Sequence, residues 1–300
     1  MRLLARLLLL GVAAALVLGA YIFFGLPGRA EVRALARENP ASTSVMRQRD
    51  REARDAGRTP RRAQSWVPLS KVSRHLVHAV LASEDQKFFG HEGVDWEAIE
   101  KAVQEDRKGW RLGRGGSTIT QQLAKNLFFT THRSLVRKAR EVVAARWLEE
   151  DLTKRRILEL YLNVIEWGDG VYGAQAAAQR YYGKPASALG ADEAAGLAAM
   201  IPNPRRINPQ VDRRRFARAQ RRVVWLMANA GYLDRPGLGA APPPEPAEEE
   251  DEEEEETPAE PEPSVAPPPE TPSPAPPANV ASPALPEAPP PTPEPTASPV

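Results

Sequence analysis

The 300-residue chain carries 40 Lys and Arg against 39 Asp and Glu, and it has no cysteine, which excludes disulfide and thiol chemistry. The net charge of +1 conceals two unlike parts: residues 240–300 hold fifteen acidic residues and no Lys or Arg, so the first 239 carry +16. This points to one basic domain rather than two, suited to anionic partners such as phospholipid headgroups, pyrophosphate or nucleic acid.

Leu7 to Leu26 is a run of twenty residues without a charge. At about 1.5 Å per residue it spans roughly 30 Å, the hydrocarbon thickness of a bilayer. Arg2 and Arg6 precede it and favour a cytoplasmic 1–6, although Arg29, Arg33 and Arg37 beyond the span weaken that bias. A cleaved signal peptide is the alternative. The run is long for one, and Tyr21-Ile22-Phe23-Phe24 is a poor small-residue cleavage site. Residues 27–65 are Arg-rich with little apolar periodicity. They read as a juxtamembrane stalk with a short helix at 30–38, either held near anionic headgroups or solvated.

Residues 66–235 have globular composition. Val72, Leu76, Val77, Val80 and Leu81 follow Pro68 and Ser70 at helical spacing and lead into Glu84. Helices are expected at 94–108, 118–128, 134–151, 153–164 (with Thr153 as cap), 171–182, 190–201 and 211–230. Alternating β-branched runs are scarce, so the fold class is all-α. From 240 onward Pro, Ala and Glu dominate. With almost nothing apolar to bury, the tail is expected to be disordered and part polyproline II, serving as a spacer, a partner-binding strip or a solvated end.

Three stretches carry residues that could do chemistry. Glu84 and Asp85 end an apolar helix just before Phe88, Phe89 and His91. Apolar surroundings and a neighbouring like charge both raise a carboxyl pKa, which suits proton transfer near neutral pH. A bare Glu-Asp pair is more often a solvated helix end. Gly115-Gly116-Ser117-Thr118 opens a helix whose free N–H groups suit an anion, though alone it is an ordinary N-cap and it is not a Walker loop. On that helix Gln121 and Lys125 share a face, with Gln122 about 100° round. Arg133, Arg137, Lys138 and Glu141 form a basic stretch with i, i+4 pairs, which in isolation reads as routine amphipathic helix.

In order, these blocks resemble glycosyltransferase family 51, and Gly173, Ala176–Tyr182 and Ile201-Pro202-Asn203-Pro204 look most like its monofunctional branch. The resemblance implies a lysozyme-like domain outside the cytoplasmic membrane that polymerises lipid II into β-1,4 glycan and releases undecaprenyl diphosphate. It implies Glu84 as general base and Glu141 as a second catalytic carboxylate, steadying the leaving group directly or through a divalent cation such as Mg2+. It places Asp85, Phe88, His91, Ser117, Thr118, Gln121, Gln122, Lys125, Asn126, Arg133, Arg137 and Lys138 in substrate binding, with Lys125, Arg133 and Lys138 on the diphosphate. The implied partners are lipid II, the lipid-linked strand, the inner membrane and other wall-synthesis or division proteins, with no nucleic acid. Residues 97–114, including Trp110, are the expected membrane contact.

Neither Ser-x-x-Lys nor Lys-Thr-Gly occurs, so no transpeptidase activity is expected. His75 and His78 share a helix face but lack zinc spacing, and no metal site is expected from them. Two other readings compete: a lytic hydrolase with Glu84 as general acid, which would not need the cations, and a non-catalytic anchored scaffold, which would not need the carboxylates. Charge alone also raises the hypothesis that the acidic tail folds back on the basic body. Deleting 241–300 without effect on activity at low and high salt would sink it.

Overall fold

The computed structural model describes residues 2–105 and 116–234. Helix α1 (Arg2–Phe24) is, among the described residues, the one helix long and apolar enough to cross a membrane, and its span Leu4–Phe24 is wholly unburied. It packs at its C-terminal end against α7 (Leu135–Asp151), where Arg140 donates from Nε to Ile22 O at 3.2 Å and from Nη2 to Tyr21 O at 2.5 Å. The guanidinium also lies 4.8 Å from the Tyr21 ring centroid.

The segment expected as a stalk is packed onto the domain. It forms α2 (Arg29–Ala34), α3 (Ser44–Asp55) and β1 (Ala63–Gln64), and it buries Val32, Leu35, Val45 and Met46. Thr43 caps α3 by accepting from Met46 N. The arginines that suggested solvation are paired: Arg29 with Glu150 and Asp151, and Arg49 with Glu166. Four apolar side chains in two short helices are too few to give a periodic signal, yet with these ion pairs they fix the segment.

The remainder is mostly helical, as the scarcity of alternating runs implied. It comprises α4 (Arg74–Glu84), α5 (Trp96–Glu105), α6 (Ile119–Phe128), α7, α8 (Lys154–Val164), α9 (Ala174–Tyr182), α10 (Ala191–Met200) and α11 (Arg213–Asn229). Side-chain caps start many of them: Ser73, Thr118, Ser134, Thr153 and Asp212 each accept a backbone N–H from the first turn. A small sheet departs from the all-helical pattern. In it β1 pairs in parallel with β3 (Val171–Tyr172), which pairs antiparallel with β2 (Glu166–Gly168). Gly170 and Gly173 have φ of +70° and +80°, and a Cβ there would lie 2.5 Å from Arg61 O and 2.7 Å from Asn163 O. Only glycine lets this ribbon close against β1 and α8.

Helix α4 is buried along Leu76, Ala79, Val80, Leu81 and Ala82 against α10 and α11, while α6 packs on α3, α7 and α8. Glu159 and Asn163 share a face of α8 and turn inward. Glu159 Oε2 accepts from Leu69 N, and Asn163 exchanges hydrogen bonds with the backbone of Val67. They thereby hold the strand of chain that feeds α4, and α4 delivers Glu84 to the site.

Candidate active site

Glu84 is the last residue of α4, where Asp85 leaves the helix with extended φ of −165°. The two neighbouring carboxylates consequently point to different partners. Asp85 is buried. His91 Nε2 lies 3.0 Å from each of its oxygens, and its Oδ2 accepts the Ile119 N–H, also at 3.0 Å. Gly93 N–H donates to His91 Nδ1, so the ring proton sits on Nε2 and is given to Asp85. Asp85 therefore ties the end of α4 to the first turn of α6, where a carboxylate also complements the helix dipole.

Glu84 Oε2 instead accepts from Gln122 Nε2 at 2.8 Å, and Gln122 Oε1 accepts from the Tyr161 hydroxyl at 2.8 Å. Burial raises the Glu84 pKa above the ordinary glutamate range. The Gln122 hydrogen bond and the Lys125 charge oppose this, and Asp85 adds to it. The residue keeps some accessible surface although protein surrounds it, as a group recessed below an opening does.

The N-terminus of α6 forms the second wall. Thr118 and Gln121 form a capping box, and Thr118 Oγ1 also donates to Gly93 O at 2.6 Å. Lys138 Nζ donates to Ser117 Oγ (2.7 Å) and Gln121 Oε1 (3.1 Å) and faces Glu141 Oε2 at 3.5 Å, which engages all three of its protons. Glu141 is buried and also lies 3.3 Å from Arg137 Nη1. Lys125 has Glu141 as its main opposing charge, then Glu84. Burial nevertheless pulls its pKa below the usual lysine value, and the same holds for Lys138. One buried carboxylate thus sits among Lys125, Arg137 and Lys138, an excess of positive charge that an anion would balance.

The residues expected at the site divide by burial. Glu84, Ser117, Gln122, Lys125 and Lys138 keep accessible surface around the Glu84–Glu141 axis. Arg133 is exposed at the start of the α7 segment, and no hydrogen bond or ion pair holds it among the described residues. Phe88 is a correction. It is fully buried, with Lys154 Nζ 4.5 Å from its ring centroid, and supports the His91 turn instead of lining a surface. Asp85, His91, Thr118, Gln121 and Asn126 are likewise engaged within the protein, Asn126 donating to Gln122 O. Gly115 of the glycine motif lies outside the described residues, and so do Trp110 and the rest of the expected membrane contact beyond Glu105. Tyr161 was not among the expected site residues, and its partner Gln122 lies 39 residues away.

Among the described residues no set of side chains alone would complete the coordination of a divalent cation. Glu141 is a single carboxylate already facing cations, and among the described residues no group of three His, Asp or Glu gathers. Mg2+ takes six oxygens, so almost all would have to come from elsewhere. His78 is accounted for otherwise, stacked on Tyr232 at 4.2 Å.

A helical domain that sets one carboxyl of raised proton affinity near a cluster of cations has the groups for acid/base chemistry beside an anion, as a transferase acting on anionic donors requires. Residues 52–229 match the Transglycosylase family, and the chain belongs to it. It is 50% identical over 190 residues to the biosynthetic peptidoglycan transglycosylase of Azoarcus sp. (strain BH72), covering 62% of this chain and 82% of that protein. The protein of that name from Thiobacillus denitrificans is 45% identical over 236 residues, covering 79% of this chain and 100% of its own length. That from Bordetella pertussis is 50% identical over 174 residues, covering 57% and 72%.

Proposed function

We propose that this protein is a peptidoglycan glycosyltransferase that joins the disaccharide of lipid II to a lipid-linked strand, with Glu84 as the base. The observation that carries the residue assignment is the placement of Glu84, bonded to Gln122, beside Lys125 and the Glu141 cluster. A base and a place for a departing anion are thereby adjacent.

In this reading Glu84 takes the proton of the acceptor 4-hydroxyl. The freed oxygen attacks the anomeric carbon of the donor, a new C–O bond forms, and the bond from that carbon to the diphosphate oxygen breaks. Negative charge collects on the diphosphate, where Lys125 and Arg133 have donors to offer, and preorganised cations are most effective where charge develops. Lys138 reaches it by exchanging one of its present acceptors. Glu141 keeps Lys138 and Arg137 in place and screens Lys125 until the anion arrives. No step here is routed through a metal ion.

The substrate is a lipid, which suits a chain with α1 as a single membrane anchor and Arg2 and Arg6 on the cytoplasmic side. The catalytic domain would then lie in the periplasm. Protein partners in wall synthesis or division would meet it there, the acidic tail being the segment available for recruitment.

Labelled lipid II, supplied to the detergent-solubilised protein and to Glu84→Gln, tests the assignment. Long lipid-linked glycan from the wild type and none from the variant is expected. Polymer from Glu84→Gln at the wild-type rate would remove Glu84 as the base, and shortening of preformed glycan would replace the transferase by a lytic enzyme.

A further inference from the structure

Tyr161 is fully buried on α8 and has one polar contact, the 2.8 Å bond from its hydroxyl to Gln122 Oε1. The other end of the same amide donates to Glu84. A glutamine amide has two unlike ends of nearly equal shape, and the α6 backbone, which holds Gln122 through its own N–H to Thr118 O, does not choose between them. The tyrosine does. Among the described residues its proton has no other acceptor. If the amide turned over, that proton would lose its partner and a carbonyl oxygen would face the Glu84 carboxylate. The first penalty falls on a fully buried hydroxyl, where an unmet hydrogen bond is costly, and the second sets two acceptors against each other.

We propose that Tyr161 is a positioning residue for proton transfer: it locks the Gln122 amide with its N–H toward Glu84 and so sets the pH at which that carboxylate is free to act. The inference rests on the reading of Glu84 as the base. The groups whose charge or proton acts on Glu84 are Asp85 beside it, Lys125 on α6 and Tyr161 itself on α8. Helices α10 and α11, packed on the other faces of α4, bring no charge to it among the described residues. Of these groups only Tyr161 acts through an orientable neighbour. A proton donated to the charged carboxylate favours its ionised form, so losing that donor makes Glu84 a weaker acid.

The test is the pH profile of kcat/KM for lipid II polymerisation by the full-length protein in detergent. For Tyr161→Phe the acidic limb is expected to move up by about one pH unit, with the alkaline plateau little changed. Gln122→Met should move the limb in the same direction, and adding Tyr161→Phe to it should move it no further. This second variant keeps the test open should the first fail to fold. A limb that stays in place in either single variant, while Glu84→Gln is inactive, overturns the inference and leaves the base assignment standing. An active Glu84→Gln overturns both. A limb moved further by Tyr161→Phe in the Gln122→Met background would show that the tyrosine does not act through the amide, and would also overturn it.

Discussion

His91 Nε2 stands 3.0 Å from both oxygens of Asp85, and one of those oxygens also accepts the Ile119 N–H that opens α6. The carboxylate next to Glu84 is therefore a clasp between two helices. Replacing it with asparagine keeps the shape but turns an N–H toward one of two donors. Asp85→Asn is expected to lose about 1–3 kcal/mol of stability, the cost of an unmet buried hydrogen bond. It should also lower kcat, since α4 and α6 carry Glu84 and Gln122. Thermal unfolding and polymerisation of the same preparation check this. A variant as stable and as active as the wild type would show that the clasp is dispensable.

The raised Glu84 pKa carries a sign for stability. The folded protein holds that proton more tightly than the unfolded chain, so the stability linked to it is complete below the ordinary glutamate value of 4.5 and is lost as pH rises through the folded-state pKa. Above that pKa the charged, half-buried Glu84 is thus a burden on stability. Glu84→Gln is expected to melt at a higher temperature than the wild type at neutral pH, with the gap closing as pH falls through the folded-state pKa toward 4.5. A melting curve series across pH decides it. A variant less stable than the wild type at pH 7 would mean that the carboxylate is better solvated than its burial indicates.

Lys125 opposes that burden from α6 and is itself held below its usual pKa by burial. Lys125→Met removes a charge proposed to meet the diphosphate and the partner of two carboxylates. A loss of about 10²–10³ in kcat is expected, as for other preorganised charge-stabilising groups. The acidic limb of the pH profile should move upward as Glu84 loses its cation. Lys125→Arg, with a bulkier head at a half-buried position, should recover only part of the rate. Full activity in Lys125→Met would shift the diphosphate assignment to Arg133 and Lys138.

Local signals were legible in the sequence where one residue determines one turn of backbone. Thr153 caps α8 where expected, and the spacing of Leu76, Val80 and Leu81 gave α4 and placed Glu84 at its end. Relationships across the chain were not legible. Gln122 looked like one of several polar residues on α6 until the fold brought Tyr161 to it, and Phe88 looked like a site aromatic until Lys154 was seen to cover it. The strands are only two or three residues long, which leaves no period to detect. The segment at 27–65 failed for a related reason: its arginines looked solvated because their carboxylate partners lie more than a hundred residues away.

That segment supplies the most direct test of the fold. Arg49 on α3 donates from Nε to Glu166 Oε2 at 3.0 Å and also meets Glu52, while Glu166 on β2 is 7% exposed with its second oxygen unpartnered. Burial raises the Glu166 pKa and Arg49 opposes it. Arg49→Met would leave a buried carboxylate without its main counter-charge, at an expected cost of about 3–5 kcal/mol at neutral pH. The cost should shrink on acidification, because a neutral Glu166 no longer needs the guanidinium. The double variant Arg49→Met, Glu166→Gln should recover much of the loss at neutral pH. A true stalk would tolerate Arg49→Met without a change in melting temperature. A large, pH-dependent loss rescued by the second substitution would instead establish α3 as part of the domain that holds β2 and β3 in place.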